Sequence, residues 1–310
     1  MRVPAQAPHP RVDAAAFGTP HPSAGVEIWY LTGHLRDEDG QAHTWTFSIL
    51  RHHDEEDPAA GPGYCLCATH HGPAGLSYGT WITPTALRVL RQAISGDEAV
   101  DPRVRTALAE ALEQGPLLPD QLLREPVTEL AGTLDITVGD VAALRREEDG
   151  SFRLAFQEQA RFDLVLTPVK PAVPQFAPSG RLPDDATGLT SLFLSSLDVR
   201  GTLLMEEGTP KRVEGRAWFE HDWGATYYRN QQTRGLSDHI WEWAGLQLDN
   251  GWEISATQAR TSDPPTAPPR RPSPAPLPSP RMAASATTMC PGTRPGTGPQ
   301  LPPSTPIRPQ

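Results

Sequence analysis

The stretch from Val26 to Arg51, VEIWYLTGHLRDEDGQAHTWTFSILR, decides the fold. β-branched and aromatic residues crowd 26–36, Asp39-Gly40 marks a turn, and 42–51 returns with the same composition. Two such runs around an Asp-Gly dipeptide predict an antiparallel hairpin. Working outward, 64–70 and 78–82 read as further strands. Residues 130–168 alternate apolar with polar around a second Asp-Gly at 149–150. Later strands are expected at 190–198, 199–206, 211–222, 238–248 and 251–260, with Asn250-Gly251 as a tight turn between the last two. Helical spacing appears in two places. Residues 83–95 open on Thr83-Pro84, and 101–115 open on Asp101-Pro102 and close on Gly115. Many short strands with few helices predict an all-β sandwich or barrel plan.

The whole chain narrows the function. A formal net charge of -10 over 310 residues argues against the extended basic footprint that nucleic acid or an anionic membrane requires, so neither is an expected partner. No apolar run reaches the ~20 residues that span a bilayer. The first residues carry no continuous apolar segment of the signal-peptide kind, so a cytoplasmic protein is expected. Cys65, Cys67 and Cys290 do not form a disulfide framework. Composition divides the chain into an N-terminal arm (1–24), a first β-domain (25–170), a Pro-rich linker (171–188), a second β-domain (189–260) and a tail (261–310). That tail holds one acid, five arginines and nearly half of the 35 prolines. It cannot bury enough apolar surface to offset its ordering entropy and is expected to be disordered. It reads either as a genuine Pro-rich tail or as the product of a shifted reading frame in GC-rich DNA.

Three segments carry a family likeness. The opening hairpin, with its Thr32-Gly33-His34-Leu35 and Asp39-Gly40, is one. TSLFLSSLDVRGTLLMEEGTPKRVEGRAWFEHDWG (190–224) and DHIWEWAGLQLDNGWEI (238–254) are the others. In this order they resemble the carotenoid 1,2-hydratase/AttH-like proteins, also called the hydroxyneurosporene synthase family. The likeness covers roughly residues 20–260. It implies an all-β fold of two lipocalin-like β-barrel or sandwich domains enclosing apolar ligands, with a short helical insertion in the first domain and the second incomplete. It implies no metal or organic cofactor. Its known activities include adding water to an end-group double bond of acyclic carotenoids, and pericyclic cyclisations in fungal relatives. Three departures stand out: Ile28 replaces the first Trp of the family's pair, Glu220 replaces an Asp, and strand character stops near residue 260.

Within GRAWFEHDWGATYY (215–228), strand alternation places Trp218, Glu220 and Asp222 on one side and Ala217, Phe219, His221 and Trp223 on the other. Desolvation in an apolar lumen would keep the Glu220 carboxyl protonated near neutrality. Glu220 is then the candidate acid for protonating a C=C bond. His221 or Asp222 is the candidate acceptor for the proton of the added water. Trp29, Tyr30, Trp218, Trp223 and Trp243 are the candidate ligand-binding residues, their ring faces suited to a developing cation. The expected ligand is an apolar polyene or isoprenoid-type molecule. A non-catalytic carrier, or an inactive truncated member, fits the same residues. So does a structural reading, with His221 as a buried hydrogen-bonder, the Trp rings as packing, and the two acids paired with Arg216 and Arg229. Cys65-x-Cys67 with His70-His71, near His52-His53, lacks the second Cys pair of a zinc site. No nucleophile elbow, phosphate loop or dinucleotide fingerprint occurs.

Overall fold

The computed structural model describes residues 16–53, 57–95, 106, 110, 120–123, 126–157, 160–175, 189–205, 208–224 and 239–261. The expected helix at 101–115 lies outside them except for Thr106 and Glu110, both helical. The linker beyond 175 and the tail lie outside them as well. Among the described residues no helix is long and apolar enough to cross a membrane.

The hairpin that opened the reading forms as β1 (Val26–Asp37) and β2 (Ala42–His52), in register from Val26↔His52 to Arg36↔Ala42. Its turn is a four-residue one. Gly40 N–H donates to Asp37 O at 2.9 Å, and Gly40 sits at φ 78°. That left-handed position follows a type I turn and needs glycine. β3 (Gly63–Gly72) and β4 (Gly75–Ile82) continue the meander. The single described helix of any length, α1 (Pro84–Ser95), then begins. Thr83 caps it, its Oγ1 accepting from Ala86 N at 3.3 Å. Ala86 and Leu87 are buried, and a Cβ on Gly63 of β3 would meet Ala86 N at 2.6 Å.

Short strands follow: β5 (Asp120–Leu122), β6 (Val127–Glu129), β7 (Asp135–Val138), β8 (Ala142–Arg146), β9 (Phe152–Gln157), β10 (Ala160–Pro168) and the two-residue β11 (Val173–Pro174). The two strands expected at 190–198 and 199–206 are one, β12 (Thr190–Met205), whose register shifts between Leu194 and Leu197. β13 (Lys211–Gly224) follows. β14 (His239–Gln247) and β15 (Glu253–Thr261) then pair as a separate two-stranded sheet.

All the other strands lie in one sheet, ordered β5-β4-β3-β2-β1-β13-β12-β10-β9-β8-β7-β6, with β11 alongside β12. The segments read as two successive β-domains therefore share hydrogen bonds. β13 pairs with β1 along its length, and β12 pairs with β10. The sheet is strongly curled. β2 and β9 stand five places apart in the order, about 24 Å if flat at ~4.8 Å per strand. Yet the rings of Phe47 and Phe156 lie 5.2 Å apart. The concave side is filled by Trp29, Leu31, Trp45, Phe47, Phe152, Phe162, Phe219 and their neighbours, all nearly inaccessible to solvent. Burying each such side chain contributes about 1.5–3 kcal/mol.

Candidate functional site

β13 lies at the centre of the sheet, and its two faces carry different chemistry. The concave face bears Ala217, Phe219, His221 and Trp223. The convex face bears Trp218, Glu220 and Asp222. Pairing on both sides aligns Tyr30, Glu220 and Phe193 in one row, and Ile28, Asp222 and Ser191 in the next. The β14–β15 hairpin covers part of this convex face.

The convex residues form an aromatic cluster, the cup, around an acid. Phe193 stacks on Trp218 with centroids 4.9 Å apart, Trp243 meets Trp218 edge-on at 5.5 Å, and Tyr30 meets Trp243 edge-on at 6.3 Å. Trp218 Nε1–H donates to Glu220 Oε1 at 3.0 Å. Loss of hydration raises the Glu220 pKa, and the neighbouring Asp222 charge raises it further, against the Trp218 hydrogen bond. Desolvation also raises Asp222, partly offset by the Ser191 hydroxyl. Both residues are half-buried taken whole. Asp222 Oδ1, however, is sealed from solvent without a hydrogen-bond partner among the described residues. A buried carboxylate oxygen left unpaired is costly unless the group holds a proton or meets a ligand. The Tyr30 hydroxyl is also pushed up, by burial first and then by Glu220.

The concave residues make a closed ionic network. Glu27 is fully buried and accepts from His21 Nδ1 at 2.8 Å, from His221 Nε2 at 2.7 Å and from the Arg51 guanidinium. Arg51 also reaches Glu129 at 2.5 Å, and Tyr64 donates to Glu129 at 3.2 Å. Burial alone would raise Glu27. The hydrogen bonds from His21 and His221, with the charges of His221 and Arg51, outweigh it and hold the carboxyl at about 2. Burial pushes His221 down despite Glu27. Gly18 N–H donates to His221 Nδ1 at 3.1 Å, which fixes the neutral Nε2–H tautomer. Trp29 stacks on His221, Trp223 stacks on His21, and Trp29 Nε1–H donates to Gly18 O at 2.8 Å.

Ligand atoms of His21, Glu27 and His221 lie within 4.8 Å of one another, a spacing that a metal could use. The surroundings fit an ion pair better. A metal on His221 Nε2 would require that nitrogen's lone pair and a proton on Nδ1, where a backbone N–H already points. Arg51 holds the other oxygen of Glu27. Removing one partner from a buried charge network of this kind costs about 3–5 kcal/mol.

The sequence candidates thus divide between faces. Glu220, Asp222, Tyr30, Trp218 and Trp243 gather in the cup. His221, Trp29 and Trp223 sit behind the sheet in the network. Cys65 and Cys67 lie on the convex side of β3, while His70 is buried on the concave side, its Nε2 3.1 Å from His43 Nδ1. Arg216 is exposed on β13, and Arg229 lies outside the described residues. Phe193, Ser191, His21, Arg51 and Glu129 were not singled out from the sequence. Their roles come from cross-strand register, which no local pattern encodes.

Further along the convex face lies a cavity of about 850 Å³ between the sheet and the tip of the β14–β15 hairpin. His34, Arg36, Asp198, Arg200, Glu214 and Arg216 are among the residues that line it.

The sequence profile of the AttH-like family matches residues 120–270. Among solved structures, an AttH candidate from Nitrosomonas europaea superposes with a TM-score of 0.57 at 20% identity, over 84% of this chain and 67% of that one. Kievitone hydratase from Nectria haematococca superposes with a TM-score of 0.52 at 15% identity, over 82% of this chain and 62% of that one. At these identities the likeness carries the fold alone. The chain spans less than two thirds of the kievitone hydratase and about two thirds of the Nitrosomonas protein. No curated protein matches the sequence. Residues 120–270 thus match the AttH-like family, and the fold of the described residues agrees with that match.

Proposed function

We propose that the protein binds an unsaturated apolar small molecule, of polyene or isoprenoid type, in the convex cup and adds water across a C=C bond. The observation that carries this reading is the Glu220 carboxyl. It is held against Trp218 beside Asp222, and its pKa is raised by the lost hydration. Two carboxyls one strand step apart on the same face favour sharing a single proton, so near neutrality the pair supplies one acid and one base. The Trp218 hydrogen bond to Oε1 leaves Oε2 as the proton-bearing oxygen.

In the forward direction, the Glu220 proton goes to one alkene carbon as the π bond breaks. Positive charge develops on the other carbon against the faces of Trp218, Phe193 and Trp243. Water forms the new C–O bond there and gives its proton to Asp222, whose unpaired Oδ1 suits it to hold that water. A proton passing back from Asp222 to Glu220 restores the pair. His221, behind the sheet and bonded at both nitrogens, is assigned no step and instead fixes β13 against β1. One of the two similar structures is a hydratase, which supports the reaction type and leaves the substrate open.

A non-catalytic lipocalin-like carrier is the second reading, favoured by the packing of Phe193 on Trp218, which commits part of the aromatic surface to itself. Incubation with an acyclic carotenoid, followed by mass spectrometry, separates the two. Hydration predicts a product heavier by one water that Glu220→Gln abolishes, with binding retained. An absorbance shift with no water gained by the unmodified protein would decide for the carrier.

A further inference from the structure

The convex face does not end at the cup. Two residues on from Trp218 along β13, the same face presents Arg216, and two further on Glu214. Neighbouring strands place Asp198 and His34 beside Arg216, and Arg200 and Arg36 beside Glu214. Directly opposed charges on adjacent strands usually pair. Here, among the described residues, neither Arg200 nor Arg216 comes within ion-pair distance of a carboxylate, whereas Arg145, Arg153, Lys170 and Lys211 each do. Both arginines instead line the cavity of about 850 Å³. The hairpin tip, with Leu248 and Asp249, forms its far wall, and Gln247 bridges to the sheet between cavity and cup.

We infer that Arg200 and Arg216 bind the anionic head of an amphiphilic ligand whose unsaturated hydrocarbon part lies in the aromatic cup. This rests on the cup being a ligand site. Planar, forked guanidinium donors match a carboxylate or a phosphate, and two uncommitted ones on adjacent strands give a head group a fixed place. A strand advances about 3.3 Å per residue, so Arg216 and Glu220 stand roughly 13 Å apart along β13. The ligand class is therefore an unsaturated acid or a prenyl phosphate with its reacting bond some 13 Å from the charge. A neutral hydrocarbon would use the cup and leave the arginines idle.

The test uses the full chain and two pairs of probes: oleate with oleyl alcohol, and geranylgeranyl phosphate with geranylgeraniol. Affinity is read from quenching of tryptophan fluorescence at low and high salt. Each anion is expected to bind at least tenfold tighter than its alcohol at low salt, a margin that salt reduces. The double variant R200Q/R216Q should erase that margin while leaving alcohol binding unchanged, and E220Q should preserve it. Both arginines are exposed, so the variant should fold, which circular dichroism checks. The tighter of the two anions identifies the head group. Alcohols binding as tightly as the anions, or a margin that survives R200Q/R216Q, would overturn the arginine site while sparing the cup. Failure of all four probes to bind would remove the cup reading and this inference with it.

Discussion

At the residue scale, two buried carboxyls of β1 and β13 are driven in opposite directions, and stability should register both. Glu27 is held at about 2 against an ordinary value of 4.5. It therefore contributes stability that is fully present above about pH 4.5 and is lost as pH falls towards 2. Glu220 is raised, so the folded chain holds its proton more tightly than the unfolded one. That contribution is present below the unfolded value and is lost as pH rises through the folded one. Urea midpoints measured across pH should consequently fall at both ends. Glu220→Gln should make the alkaline fall shallower, leaving the part that comes from Asp222, while matching wild type in acid and leaving the acid fall untouched. A variant that lost stability at alkaline pH as steeply as wild type would show that Glu220 is not desolvated. The alternation of β13 was readable from GRAWFEHDWG, so the partition of Glu220 from His221 was legible. Which partition faced the core was not, because alternation fixes relative sides only. Register with Trp29 and Glu27 decided it.

At the scale of elements, strands and turns were the legible part, since each rests on local chemistry. The turns at Asp39-Gly40 and Asn250-Gly251 sit where the sequence put them. Both glycines follow the turn in a left-handed position instead of occupying the centre of a two-residue loop. The bulge that makes one strand of 190–205 was not legible. Ser195 and Ser196 give no local sign of a register shift, and the bulge follows from pairing with β13. The bulge has a structural use, because it presents Ser195 O to Gln247 Nε2 at 2.6 Å, and Ala217 O accepts from the same nitrogen at 3.0 Å. Lys170–Glu253 and Ser255–Gln175 add to the hold on the hairpin. Gln247→Ala should therefore cost about 1–3 kcal/mol for the carbonyls it leaves unpaired. Amide exchange is the measurement. Protection should drop in β14 and β15 and stay unchanged in β1, β2 and β13. Unaltered hairpin protection would mean that the glutamine does not anchor it.

At the scale of the whole molecule, the resemblance to a two-barrel family led the chain to be read as two β-domains in series. Hydrogen bonding joins its ends into one curled sheet, because β13 inserts beside β1. Local patterns could not show this, since the partners are nearly two hundred residues apart. A fragment ending at residue 175 would leave β1 and β10 as open edges and expose Leu31, Phe162 and Leu164 where β12 and β13 had covered them. It should fail to give a cooperative thermal transition, whereas the full chain should give one transition by both fluorescence and circular dichroism. A cooperatively folding fragment would instead support an autonomous first domain. The sheet's closure around its concave core makes the convex cup the proposed place for chemistry, and that proposal depends on the protonation of Glu220 there. The most direct test is carbon-13 NMR of selectively labelled glutamate carboxyls across pH, with Glu220 assigned by its absence in Glu220→Gln. A resonance that still reports a protonated carboxyl at pH 6 and titrates above it is the predicted result. One that titrates near the ordinary value of 4.5 would contradict the acid role.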